Sequence, residues 1–312
     1  MRLYRSIAAL DALVAAPGRA LTIGAFDGLH IGHREILRRT IAAAKAASAP
    51  VMVLCFEPTP AEYFARGTPP ARLTCFRERF ELLDELGVDE LFCPHFGRLN
   101  VMSDRDFVEQ LLVERLRVGH VVVGHDFRYG ARRLGTVESL RVAGAQHRFD
   151  VTVVDPVDDD GSRVSSTLIR EALERGELDR AAQMLGRDYS MSGRVVYGQG
   201  LGKELGFPTA NINLKRRRAP VDGIFAVEVD GAAKGPLAGV ASVGSRPTVG
   251  GSETLLEVFI FDFDADLYGA YLTVRFKKRL RAEQHFGSLD EMKVQMHADV
   301  AAAKAALGHR IA

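Results

Sequence analysis

Leu21-Thr22-Ile23-Gly24-Ala25-Phe26-Asp27-Gly28-Leu29-His30-Ile31-Gly32-His33 runs directly into REILRRTIAAAKAA, residues 34–47. An apolar strand signal passes into a glycine-rich turn and then into a helical stretch. That order presents backbone N–H groups at a helix start, where an anion is favoured. Gly24, Gly28 and Gly32 permit close approach of the backbone to a ligand, and Phe26 and Asp27 lie within the same turn. A lone histidine is ordinarily a surface or core residue. His30 and His33, three apart at a helix start, can instead face one phosphate and donate to its developing charge. No Gly-Lys-Ser/Thr follows the strand, so this is neither a Walker loop nor a Rossmann G-x-G-x-x-G turn. A different class of nucleotide site is implied.

Outward from this stretch, strand and helix signals alternate. Leu21–Ala25, Val51–Phe56, Glu90–Cys93, Val121–Gly124 and Val151–Val154 are nearly continuous apolar runs, as strands buried on both faces of a parallel sheet are. Between them, Ser103–Arg115 reads as a helix, with Ser103 as its cap and Phe107, Leu111 and Val108, Leu112 at i,i+4 spacing. The alternation predicts an α/β doubly wound, Rossmann-like domain. Asp126 and Arg128 end a strand of this sheet, where ligand sites gather.

From Ser190 onward, short strand-like runs recur between Gly, Pro and Asp turns: GRVVYG, FPTANINL, GIFAVEV, LAGVASVG, LLEVFIF and YLTVRF. They predict a mainly antiparallel β-barrel or sandwich. A C-terminal helix follows Ser288, with Leu289, Met292, Met296 and Val300 as its core stripe. Helical pieces at Thr167–Arg175 and Leu178–Leu185 precede a boundary near Gly186, giving domains 1–186 and 187–312. Thr209 and Asn211 alternate along a strand and share a face. Their oxygens suit a hard cation, although Thr-x-Asn alone is ordinary strand polarity. Glu257 interrupts the apolar run Leu255–Phe261 and is either the polar side of an alternating strand or a group with a function.

The 312 residues carry 47% hydrophobic and 26% charged side chains, an ordinary globular balance that excludes wholesale disorder. Lys plus Arg total 41 against 40 Asp plus Glu, which predicts no polyanion-binding surface. The run Lys215–Arg218 therefore reads as a solvated loop, with no nucleic acid as partner. Three cysteines without metal-ligand spacing exclude a zinc ribbon or a disulfide scaffold. No apolar run reaches the ~18 residues of a membrane span. The opening MRLYRSIAALDALVAAPGRA is broken by Asp11 and lacks a clear A-x-A site, so a cytoplasmic protein with no membrane partner is expected.

His30-Ile31-Gly32-His33 resembles the H-x-G-H signature of the nucleotidylyltransferase superfamily. A fuller likeness is to the bacterial bifunctional riboflavin kinase/FAD synthetase family. It rests also on Phe56-Glu57-Pro58, Val123–Gly130, Val164–Arg170, Gly206–Asn211, Gly244–Thr248, Leu256-Glu257-Val258 and Asp266–Gly269, in order along nearly the whole chain. The resemblance implies adenylyl transfer to FMN in the first domain, with His30 and His33 catalytic. Gly24, Phe26, Asp27, Gly28, Gly32, Asp126, Arg128, Ser165, Ser166, Thr167 and Arg170 would bind ATP or its phosphates. It implies riboflavin phosphorylation in the second domain. There Gly200, Gly202, Gly206 and Pro208 would lie against ATP, Thr209 and Asn211 would hold Mg²⁺, and Glu257 would be the base. Riboflavin, FMN and ATP are then the small-molecule substrates. One departure stands out: Thr59 occupies the place where the family often has a histidine. Two other readings stay open to the residues alone, another H-x-G-H nucleotidylyltransferase and a flavin-binding regulator without catalysis. The first has no Lys-Met-Ser-Lys-Ser segment to support it, and the second leaves the catalytic set idle.

Overall fold

A computed structural model describes residues 1–13, 18–159, 161–198, 201–216, 218–248 and 251–308. The chain forms two compact units, one of Met1–Pro70 with Phe76–Ser165, the other of Ala71–Cys75 with the chain from Ser166 onward. The helices at 166–185, read from sequence as the end of the first domain, thus pack with the second.

In the first unit, six strands form one parallel sheet: β1 (Arg2–Tyr4), β2 (Arg19–Ile23), β3 (Val51–Leu54), β4 (Glu90–Phe92), β5 (Val118–Gly124) and β6 (Asp150–Val154). Their order is β1-β4-β3-β2-β5-β6. Side chains alternate across it, as strand geometry requires. Leu21, Ile23, Met52, Leu54, Val121 and Val123 enter one core, and Ala20, Val51, Val53 and Leu91 the other. Helix α1 (Ile31–Ala46) adds Leu37 and Ala44 to the second core. The four-residue α2 (Pro60–Tyr63) follows β3, and α3 (Phe76–Glu85) brings Leu83 to that same core. After β4 come α4 (Phe96–Leu99) and α5 (Asp104–Asp106), the latter continuing in π form over Phe107–Arg115. That π segment, with α6 (Val137–His147), covers the first core. Helices on both faces make the sheet doubly wound. Chain order reverses between β2 and β5, and at such a switch point α/β folds bind ligands beyond the strand ends. β1 was not legible in the sequence, since its three residues have no periodicity of their own.

The small hairpin β7 (Asp158–Asp159) and β8 (Ser162–Arg163) ends the first unit. In the second unit, α7 (Ser166–Glu174) and α8 (Leu178–Leu185) precede β9 (Ser190–Val196). After α9 (Leu201–Glu204) come β10 (Ala210–Asn213), β11 (Gly223–Ala233), β12 (Gly235–Thr248), β13 (Gly251–Ile260) and β14 (Tyr271–Arg281). They close an antiparallel barrel in the order β10-β13-β12-β11-β14-β9. Register shifts between β11 and β14 bend the wall, as bulges do. The closing helix α10 (Leu289–Ala306) packs Ala303 against Ala226 and Phe261, and its buried Asp299 takes the Arg281 fork at 2.8 and 2.7 Å. Leu289, expected in the core stripe, is 57% exposed. It is the first residue of its helix, ahead of the turns that reach the barrel. The basic run also differs from expectation. Arg216 is only 8% exposed and donates to the Arg72 carbonyl at 3.2 Å and the Tyr189 hydroxyl at 3.1 Å.

Candidate active sites

The turn between β2 and α1 is built under strain. Phe26 and Leu29 take φ of 50° and 42°, a region costly for side chains other than glycine, with Gly28 at 85° between them. Both side chains are fully buried, at 1% and 0% exposure, and their burial holds the strained path. His30 caps α1, its Nδ1 accepting the His33 N–H at 3.3 Å. That bond assigns the ring proton of the neutral imidazole to Nε2. The His30 and His33 rings stack with centroids 3.6 Å apart, and the Phe26 ring lies 5.1 Å from His33. Gly32 leaves room for the stack, since a Cβ there would press on the His30 ring at 3.3 Å. A Cβ at Gly24 would meet the Phe26 ring at 3.2 Å.

Burial, and then repulsion from His30, hold the His33 imidazole well below its ordinary value near 6.5. Its Nδ1 is buried without a hydrogen-bond partner. The stacked imidazoles stand at the start of α1, whose first N–H groups lack intrahelical acceptors. Asp27, also buried, lies in the same turn. β5, the neighbour of β2 in the sheet, ends at Gly124, and Asp126 and Arg128 follow in the next turn. Asp126 accepts from Arg163 at 2.7 Å. Burial works to raise its carboxyl but is outweighed by the Arg163 hydrogen bond and charge and by His125, so it sits below its ordinary value. Arg128 is exposed.

Two features here were not found from the sequence. Arg79, 1% exposed, reaches from α3 to donate to the Ala25 carbonyl at 3.0 Å and to Glu57 at 2.9 Å. The signal was present: Phe76, Phe80 and Leu83 mark the apolar side of α3, and Arg79 shares it. Beyond β3 and β4, Phe56, Tyr63, Phe64 and Phe96 pack edge to face at 5.2–5.7 Å. Phe64 of this group is 60% exposed. Thr59, the departure from the family, closes a capping box on α2 with Glu62. Its side chain is occupied structurally.

Ser165, Ser166 and Thr167 stand at the start of α7, with Ser165 and Ser166 half-buried and Thr167 exposed. Arg170 donates its Nε to the Ala71 carbonyl at 2.6 Å.

In the barrel, Thr209 and Asn211 share the outer, half-buried face, while Ala210 and Ile212 point into the core. Glu257 sits directly across from Asn211 on one side and from Ser242 on the other. Its strand alternates strictly, with Leu256, Val258 and Ile260 buried. Glu257 is therefore on the polar face of its strand, and that face is the one carrying Asn211. The glycine segment lies on the same place. A side chain at Gly198 would collide with the Asn211 amide, and one at Gly202 would come within 2.5 Å of the Phe207 carbonyl and 3.0 Å of Thr209 Oγ1. Gly206 needs its φ of 90°. Pro208 is exposed beside buried Phe207, whose ring meets Phe259 and His297. Gly200 lies outside the described residues.

A strained turn with a histidine pair on an α/β sheet and a separate barrel with a carboxylate opposite Asn211 are the two candidate sites of a transferase. The FAD synthetase family matches residues 14–168 and the riboflavin kinase family residues 185–307. The bifunctional riboflavin kinase/FMN adenylyltransferase of Escherichia coli K12 is 44% identical, over 99% of this chain and 98% of its own. That of Pseudomonas fluorescens is 45% identical, over 92% and 93%. A Streptococcus pneumoniae crystal structure described as a macrolide-efflux protein superposes with a TM-score of 0.79 at 30% identity, covering 93% and 95%. The chain belongs to the bifunctional riboflavin kinase/FMN adenylyltransferase family.

Proposed function

We propose that the barrel phosphorylates riboflavin to FMN with ATP, and that the α/β unit adenylylates FMN to FAD with release of pyrophosphate. The observation that carries the reading is the His30–His33 stack at the start of α1, beside an anion-favouring helix end. In adenylyl transfer an FMN phosphate oxygen attacks the α-phosphorus of ATP, and the bond to the bridging oxygen of pyrophosphate breaks. Negative charge grows on the non-bridging oxygens. Donors fixed before the reaction stabilise it without reorganising, and His30 Nε2–H with the first-turn amides supplies them. Gly24, Phe26, Asp27, Gly28 and Gly32 shape the cradle. Asp126, Arg128, Ser165, Ser166, Thr167 and Arg170 are assigned to ATP by their match to the family motifs. The aromatic group around Phe56, Tyr63 and Phe96 offers faces to the flavin ring.

In the kinase reaction Glu257 accepts the ribityl 5′-hydroxyl proton as that oxygen attacks the γ-phosphorus, and ADP leaves. Gly198, Gly202, Gly206 and Pro208 bring backbone to the phosphates. A hydroxyl, an amide oxygen and a carboxylate on one face are hard oxygen donors of the kind Mg²⁺ takes. Among the described residues no group of three His, Cys, Asp or Glu could hold a metal ion by itself, so Thr209 and Asn211 would bind Mg²⁺ together with ATP. Bound there, the ion would neutralise phosphate charge.

Cytoplasmic placement belongs to this proposal; among the described residues no helix is long and apolar enough to cross a membrane. The deciding experiment incubates the protein with riboflavin, ATP and Mg²⁺ and resolves the flavins. FMN followed by FAD is expected. Flavin that binds but is never converted would defeat the proposal.

A further inference from the structure

A strained turn aims its N–H groups more firmly when its carbonyls are held by fixed partners. A trans peptide points its C=O and the following N–H in opposite directions. Fixing the Ala25 carbonyl therefore fixes the Phe26 N–H, at the residue where φ turns positive. The group that fixes it is the Arg79 guanidinium, through one terminal nitrogen at 3.0 Å. The other terminal nitrogen takes Glu57 at 2.9 Å, which balances the buried charge. The Phe76 ring lies 5.9 Å from the guanidinium carbon and supports it from α3. Arg34 serves the far end of the turn in the same way, donating to the Leu29 carbonyl at 3.4 Å.

We infer that Arg79 is a positioning residue for adenylyl transfer, tying the Ala25 carbonyl and so aiming the turn that carries His30 at the reacting phosphate. The inference rests on the proposed adenylylation at that turn. Arg79 needs to touch neither substrate. Its fork makes two bonds in two directions, and lysine, a single point charge, cannot reproduce both. The role thus separates from simple charge and from simple burial.

The test uses the full-length protein with Arg79→Gln and Arg79→Lys. Steady-state FMN adenylylation, riboflavin phosphorylation and thermal melting are measured on each preparation. A displacement of about 1 Å at a reacting group costs on the order of 10²-fold. Arg79→Gln should lower kcat for adenylylation by about that factor per folded molecule, with KM for ATP and FMN changed far less and kinase turnover at the wild-type level. Arg79→Lys should restore part of kcat. A wild-type kcat per folded molecule in Arg79→Gln would overturn the inference, even if melting falls. If Arg79→Gln does not fold, Arg79→Lys decides alone: a reduced kcat at unchanged KM supports the role, and a wild-type kcat overturns it. His30→Ala in parallel tells the two failures apart. Normal FAD synthesis in His30→Ala removes the adenylylation site itself, whereas a damaged His30→Ala beside a normal Arg79→Gln removes only Arg79.

Discussion

The two candidate sites are built by opposite means. In the α/β unit the donors belong to the backbone and to two imidazoles at one helix start, and their geometry is stored in positive φ at Phe26 and Leu29. In the barrel the candidate atoms are side-chain oxygens on adjacent strands, placed by the register that sets Asn211 beside Glu257. The first site depends on a turn being held out of its relaxed shape. The second depends on a regular ladder and on glycines thin enough to lie over it. The first site should therefore be sensitive to backbone changes as well as to loss of its imidazoles, and the second chiefly to what displaces or removes its side-chain oxygens.

The contrast is tested most severely at Glu257. Glu257→Gln keeps the shape but cannot accept a proton, so riboflavin phosphorylation should fall by ~10²–10⁴ in kcat. FAD synthesis from supplied FMN should be unchanged, and parallel assays of both reactions check it. His30→Ala or His33→Ala should do the reverse, costing FAD formation ~10²–10³ while FMN formation persists. Loss of both activities in either variant would break the separation. Gly198→Ala sharpens the claim about the barrel. Its methyl must displace the Asn211 amide, and a shift of about 1 Å there should cost up to about 10²-fold in kinase turnover, read as kcat with melting unchanged.

The smallest expected effect concerns acid. His33 is held neutral in the folded protein, with its proton affinity below the ordinary value near 6.5. Below that pH the unfolded chain takes up a proton that the folded one refuses, so stability falls as pH drops. The slope is at most about 1.4 kcal/mol per pH unit for one group. Denaturant unfolding of the wild type and of His33→Gln between neutral and mildly acidic pH should show that slope only in the wild type. Equal slopes would place His33 in a solvated state.

Much of this was legible in the sequence. The buried strands announced themselves by unbroken apolar runs, and the barrel strands by turns at regular spacing. The His30–His33 turn showed its shape, because glycines and histidines were adjacent in the chain. What was hidden depended on distant partners. Arg216 reads as one member of a basic run, yet its burial is decided by Tyr189 and Arg72, 27 and 144 positions away. Arg79 sat among apolar helix positions, but its acceptors come from the ends of two other elements. Thr59 could be seen to differ from the family pattern, whereas its capping bond to Glu62 emerged only with α2.

Ala71–Cys75 belongs to the second unit although the chain on either side of it belongs to the first. The boundary between the two units in space is therefore not a single cut in the gene. A polypeptide begun at Ser166 would leave those five residues behind, and with them the carbonyls of Ala71 and Arg72 that Arg170 and Arg216 hold. Exchange of kinase modules between members of the family would be cleanest if this short insert travelled with the barrel, as a second exon-like piece grafted into a foreign neighbour.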